Sequence, residues 1–199
     1  MRAEAAWGLG DVKTANEYFR EATQADEQAI RPRVRWGRLY LFTHQYVDAS
    51  ELFSEALKID SDDVQARLGM TQLFVDQFSG NARKLVEEVL KDDDKLIAGH
   101  LLAAQIDLDG GRYKDAEKSL DEAVELIEKQ KLPPLEAYEL LAALELLRGN
   151  ASGGRWAERA LAYNPRYGGV FEMLAHYEIM RRKYAEANRH EQDQRCAER

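Results

Sequence analysis

The sequence predicts an all-α protein assembled from repeated antiparallel helix pairs, and three observations predict it. Apolar residues recur at helical spacing: Leu140, Leu141, Leu144 and Leu147 share one face, as do Leu52, Phe53, Ala56 and Leu57. Alternation of period two is not sustained anywhere, and four prolines with thirteen glycines in 199 residues are too few for a turn-rich β chain. One apolar pattern also returns at a nearly constant interval of 34 residues, the mark of a chain made by stacking one helical unit.

The copies run in order along the chain. The first is Val12-Lys-Thr-Ala15-Asn-Glu-Tyr-Phe19-Arg-Glu-Ala22. Thirty-four residues after Ala15 stands Ala49, in Tyr46-Val-Asp-Ala49-Ser-Glu-Leu-Phe53-Ser-Glu-Ala56-Leu57. Ala116, in Tyr113-Lys-Asp-Ala116-Glu-Lys-Ser-Leu120-Asp-Glu-Ala123, follows Ala49 by 67 residues, two periods less one. Ala187, in Tyr184-Ala-Glu-Ala187, comes 71 residues later, two periods plus three.

With these residues the chain resembles the tetratricopeptide repeat (TPR) family, whose unit is a 34-residue helix-turn-helix. Six repeats follow, at about 1–28, 29–63, 64–95, 96–131, 132–166 and 167–199, in a single array over 1–199. Repeat one enters part-way through its first helix, as though excerpted from a longer polypeptide or trimmed, and turns at Gly10-Asp11. Repeat two places Gly37 and Tyr40 at the family's small and aromatic positions, with Trp36 just before. Repeat three is the weakest: Ala66, Met70, Thr71 and Phe74 fit a first helix, but the turn at Phe78-Ser79-Gly80-Asn81-Ala82 is short. Repeat four turns at Gly111-Arg112, and about four extra residues ending in Leu132-Pro133-Pro134 read as a lengthened second helix stopped by proline. Repeat five opens on Glu136-Ala137-Tyr138 and turns at Gly149-Asn150, but carries Gly153-Gly154 where a small alanine is expected. Repeat six offers Phe171, Leu174 and Ala175, preceded by Pro165, and ends in a polar tail whose Glu191 and Gln194 replace apolar residues. Breaks between paired helices are expected near 9–11, 43–45, 76–80, 109–112, 149–152 and 181–183. The resemblance implies a right-handed superhelical α-solenoid with a concave groove lined by the first helix of each pair. Stability then comes from stacking, because one hairpin cannot bury both of its faces.

Composition narrows the function classes. Twenty-eight Lys+Arg against 36 Asp+Glu leave a net charge of −8, which argues against bulk nucleic-acid binding. No window approaches 18 consecutive apolar residues, so no membrane insertion is expected. Met1-Arg2-Ala3-Glu4-Ala5-Ala6-Trp7 lacks an apolar signal core; the compartment is unreadable and the cytoplasm is the default. A single cysteine, Cys196, precludes an internal disulfide framework and reads as a surface thiol.

Chemical motifs fail on inspection. His190-Glu191-Gln192-Asp193-Gln194 begins like a zinc-binding H-E-x-x-H but ends in glutamine. His44, His100 and His176 show no ligand spacing. Asp92-Asp93-Asp94 lacks the glycine and twelfth-position glutamate of a calcium loop and reads as a helix-end cluster. Gly110-Gly111 and Gly168-Gly169 are not followed by the Lys-Ser or Lys-Thr of a phosphate loop. No metal, cofactor or catalytic residue is expected, and the chain is read as a non-enzyme.

The one pronounced charge cluster is Arg31-Pro-Arg33-Val-Arg35-Trp-Gly-Arg38. On a helix, Arg31, Arg35 and Arg38 share a face while Arg33 points elsewhere. That face is either a basic groove mouth for acidic side chains or a solvated face paired with acidic neighbours. Carrying the family's groove positions across assigns Gln65, Leu68, Gln72 and Val75 to repeat three, and Ala98, Leu101, Gln105 and Leu108 to repeat four. Repeat five adds Glu136, Glu139, Ala143 and Leu146, and repeat six adds Glu172, His176 and Ile179. The expected peptide groove thus runs from Arg31, Arg35 and Arg38, through leucines and glutamines, to Glu136, Glu139, Glu172 and His176. The family's chaperone-type carboxylate clamp is absent, since Val34, Arg38 and Gly69 stand at its sites.

The function expected is therefore a protein- or peptide-binding scaffold, with an unidentified protein ligand as partner. The alternatives are a self-assembly module, with the chain as a homo-oligomer, and the repeat portion of a larger multidomain, peptidase-like protein.

Overall fold

The computed structural model describes residues 2–76, 81–150, 153–175 and 179. Among these there is no strand, and the chain reads as helix, turn, helix throughout. The elements are α1 (Arg2–Gly8), α2 (Val12–Ala25), α3 (Ile30–Phe42), α4 (Tyr46–Ile59), α5 (Val64–Asp76) and α6 (Ala82–Asp92). They continue with α7 (Ile97–Asp109), α8 (Tyr113–Gln130), α9 (Leu135–Leu147) and α10 (Gly153–Tyr163), and residues 168–175 are again helical. The expected breaks at 9–11, 43–45, 109–112 and 149–150 are all present. Most of the break at 76–80, the break at 181–183, the polar tail, His190 and Cys196 lie outside the described residues. The chain divides into two compact units, Met1–Gly99 and His100–Arg199.

The turns inside the pairs share one backbone solution. Gly10, Gly111 and Gly149 have φ of +79°, +68° and +78°, and His44 holds the same place at +58°. A left-handed residue ends each first helix tightly, which is why glycine suits three of the four. A second device closes the junctions between pairs. Asp26, Asp60, Asp93 and Asn164 each accept a hydrogen bond from the backbone N–H two residues on, at 2.9–3.1 Å. These Asx turns release the chain from one second helix into the next first helix.

In the first unit, α4 is the keystone. Phe53 is fully buried and its ring lies against both α3 and α5. A Cβ on Gly37 would stand 2.8–3.1 Å from that ring, and one on Gly69 would overlap it. Around Phe53 are Val34, Leu41, Ala49, Ala56, Ala66 and Leu73, with Ile30 and Leu57 packed on the outside. Phe19 fills the corresponding place in repeat one, among Ala3, Ala6, Ala15 and Leu39. Arg33, the arginine expected off the shared face, is 8% exposed; it donates to Glu55 at 3.2 Å and to the Ala29 carbonyl at 2.7 Å. Arg67, one period later, pairs with Asp92 in the same way.

In the second unit α8 has 18 residues where α4 has 14, so the four extra residues are all helix. It stops at Lys131, whose φ of +55° ends it before the two prolines. Arg148 at the end of α9 grips Glu117 of α8 through two guanidinium nitrogens, at 3.1 and 2.8 Å, and also donates to the Tyr113 carbonyl. Ala142, Ala157, Ala160 and Val170 form the small-residue seam between α9, α10 and the next helix, flanked by Tyr138, Trp156 and Tyr167.

Gly153 and Gly154 are not equivalent. A Cβ at Gly153 would sit 2.6 Å from the Leu146 Cγ and 2.8 Å from the Ala142 carbonyl oxygen, whereas at Gly154 it would meet nothing within 4 Å. Gly153 is thus the small residue that lets α10 reach α9, and Gly154 only weakens the helix. Thermal melts should show opposite signs: Gly154→Ala stabilising by up to about 1 kcal/mol, Gly153→Ala destabilising by roughly 1–3 kcal/mol.

Candidate functional site

The basic residues lie in the first unit, on α3. Arg35 donates to Glu4 at 3.3 Å, and Arg31 reaches the same carboxylate at 3.8 Å with 78% of its side chain exposed. Arg38 donates instead to the Gln65 amide oxygen at 2.6 Å. Burial, and then the charge of Arg35, pull its guanidinium below the usual arginine value. One carboxylate therefore serves two arginines, and the third is held by a neutral amide. The face is paired in part, and it carries more guanidinium than carboxylate.

The leucines expected along the groove are placed differently. Leu68, Leu101 and Leu108 are only 4%, 5% and 7% exposed. Leu102, Ala103 and Ala104 are buried as well, so α7 is enclosed on nearly every side. Helix packing leaves these leucines little apolar surface to offer a ligand. Gln72 and Gln105 stay half-exposed. Val34, at a clamp position, is buried in the Phe53 core. His176 lies outside the described residues.

The acidic residues lie in the second unit and are more organised than their spacing foretold. The Tyr167 hydroxyl donates to Glu139 at 2.6 Å. Gly169 makes room for that contact, because a Cβ there would overlap the Glu139 carboxylate and press on the Tyr167 ring. Desolvation pushes the Glu139 carboxyl above the ordinary range; the tyrosine bond opposes the shift and Glu172 adds to it. Glu136 is raised too, by desolvation and then by the charge of Glu139. Tyr167 is driven upward by burial and by the three carboxylates. None of Glu136, Glu139 and Glu172 has a lysine or arginine within ion-pair distance among the described residues. Among the described residues these carboxylates therefore repel one another with no cation between them. Sequence reasoning missed Tyr167 and Gly169, because Gly168-Gly169 was weighed only as a phosphate loop. Among the described residues no three His, Cys, Asp or Glu side chains are placed to hold a metal ion. No helix there is long and apolar enough to cross a membrane.

Residues 6–73 match the tetratricopeptide repeat family model. No curated protein matches the chain by sequence. Solved structures match its fold over most of its length. TTC0263, a thermophilic TPR protein of Thermus thermophilus, superposes with a TM-score of 0.73 at 17% identity, covering 88% of this chain and 93% of its own. PilW, a widely conserved type IV pilus biogenesis factor, gives 0.66 at 14% identity and 89% coverage of both chains. YrrB, a TPR protein with an unusual peptide-binding site, gives 0.53 at 12% identity, covering 85% of this chain and 87% of its own.

Proposed function

From a chain of tetratricopeptide-repeat fold, whose residues 6–73 match the repeat family itself, we propose a non-catalytic scaffold that binds protein or peptide segments through the first-helix faces of its pairs. The observation that carries this reading is the acidic station of the second unit. Glu139, half-buried and bonded to the Tyr167 hydroxyl, lies within reach of the like charges of the exposed Glu136 and Glu172, an arrangement that favours a cation. The ligand chemistry it favours is a lysine or arginine side chain on a peptide. The arginine face of the first unit favours an acidic segment by the same logic, since a guanidinium fork gives two hydrogen bonds to one carboxylate. YrrB, of the same fold, is named for a peptide-binding site, which agrees with this class of function.

The pH dependence has a definite sign. Both carboxyls have folded-state values above the unfolded one. Their protonated forms therefore favour the fold below the unfolded value of about 4.3, and that contribution fades as pH rises through the folded values. A cationic ligand restores what is lost, so its affinity should climb with pH above the ordinary carboxylate range and then level off. A peptide-array screen followed by fluorescence titration tests this. Glu139→Lys should weaken a basic peptide on the order of tenfold or more. A basic peptide whose affinity ignores both pH and Glu139→Lys would refute the acidic station.

A further inference from the structure

The side of α3 turned away from Arg31, Arg35 and Arg38 forms the floor of a second groove. Arg33, Trp36 and Tyr40 follow one another there at helical spacing, i, i+3 and i+7. Together with residues of α2 and α4 they line a cleft of about 620 Å³. Thr23 of α2 and Arg33 are its two buried polar members, 9% and 8% exposed. Each keeps hydrogen-bonding capacity that the fold leaves unused. The Thr23 hydroxyl donates to the Arg20 carbonyl at 2.9 Å and accepts nothing among the described residues. Arg33 directs Nε to Glu55 and Nη1 to the Ala29 carbonyl, and its Nη2 has no hydrogen-bond partner among the described residues. One period later Leu57 holds the place of Thr23 and packs on the Phe53 core, so the hydroxyl belongs to this groove and is no feature of the repeat.

The aromatic floor and the α4 lip complement a cation. Trp36 and Tyr40 stack with 5.6 Å between ring centroids, and both are half-buried. Asp48 and Glu51 stand on the α4 lip, both exposed, and neither has an ion-pair partner among the described residues. Burial, and then the charge of Asp48, push the Tyr40 hydroxyl upward, so that carboxylate acts on the tyrosine end of the floor. Arg20, on the α2 side, is the opposing charge there. A guanidinium laid on these rings gains a cation–π contact and has carboxylates beside it for an ion pair.

We propose that this groove takes an extended, arginine-bearing segment of a partner protein. A backbone N–H of the segment donates to Thr23, a backbone carbonyl accepts from Arg33, and the arginine lies over Trp36 and Tyr40 toward Asp48 and Glu51. An extended chain fits and a helix does not, because a helix satisfies its own N–H and C=O groups and has none to give Thr23 and Arg33. A neutral carbonyl suits Arg33, whose charge Glu55 already meets at 3.2 Å. The groove is separate from the first-helix faces and does not rest on the acidic station.

The probes are fluorescein-labelled peptides of about eight residues, alternating valine and serine to disfavour helix, each with one arginine at a different position. They are titrated by fluorescence polarisation. At least one should bind saturably, and Asp48→Lys combined with Glu51→Lys, both on exposed side chains, should weaken it about tenfold or more. Citrulline in place of the peptide arginine should do the same, and keeps the test valid if the double variant fails to fold. Arg20→Ala should tighten binding. An N-methyl scan of the peptide should find one position that weakens binding to wild type and has no effect in Thr23→Val, which removes the hydroxyl at nearly constant shape. Because the probes are cationic, each titration is repeated in Glu139→Lys, where this groove keeps its affinity and the acidic station does not. No saturable binding, binding indifferent to the α4 charge reversal or to citrulline, an N-methyl scan that Thr23→Val leaves unchanged, or binding lost in Glu139→Lys overturns the proposal. A concentration-dependent dimer of the chain that the α4 charge reversal abolishes would overturn it in favour of a second copy.

Discussion

Phe53→Ala should lower the unfolding free energy of the first unit by roughly 3–5 kcal/mol, the range for emptying a large aromatic site in a core. The cost should fall at the high end because the site has little means to collapse. Gly37 and Gly69 approach the ring from α3 and α5 so closely that neither tolerates a Cβ. With the ring removed, no side chain at either glycine can refill the space. Phe53 also joins elements of two successive repeats, so its loss weakens both the hairpin and the stacking that hairpins depend on. Gly37→Leu attacks the same contact from the other side and should cost roughly 1–3 kcal/mol. Urea melts followed by circular dichroism measure both. A Phe53→Ala variant that melts within about 1 kcal/mol of wild type would show that the ring is not the joint between α3 and α5.

Phe53 also illustrates what was legible in the sequence. A 34-residue recurrence fixes which face of each second helix is apolar and where small residues must stand, so Gly37, Ala49 and Phe53 could be assigned their places from spacing and family resemblance. The helix pairs and the lengthened α8 follow from the same periodicity. Contacts between non-equivalent positions do not. Arg33 and Arg67 are spaced by one period and each pairs with its own second helix, but an arginine on a helix reads as surface, whether in an arginine-rich stretch like Arg33 or alone like Arg67. Asp26, Asp60, Asp93 and Asn164 close the junctions, yet short polar residues in loops carry no signal of which backbone N–H they accept. Gly153 reads as a defect in a helix because propensity is local, while the Ala142 carbonyl that requires it is on another helix. The tyrosine at 167 is a loop residue whose partner, Glu139, lies 28 positions earlier.

Leu101→Asp is expected to unfold the second unit's first helix pair, not merely to slow or hasten the release of a ligand. Periodicity places Leu101 on the first-helix face, but cannot say whether that face is open, because a groove floor and a core wall have the same spacing. The structure leaves Leu101 5% exposed, beside Leu102, Ala103 and Ala104, all buried. A carboxylate there would be cut off from water, and it would either stay charged at high cost or take up a proton. The expected loss is several kcal/mol, among the largest for a single substitution. Gln105→Asp, one turn along and half-exposed, should change stability by less than about 1 kcal/mol. Denaturant titration of the two variants separates the cases. If Leu101→Asp melts like wild type, the α7 face is open to solvent and the leucines regain their place as ligand contacts. If it unfolds while Gln105→Asp does not, Leu101 is a core residue, and variants that test binding on α7 belong at Gln105.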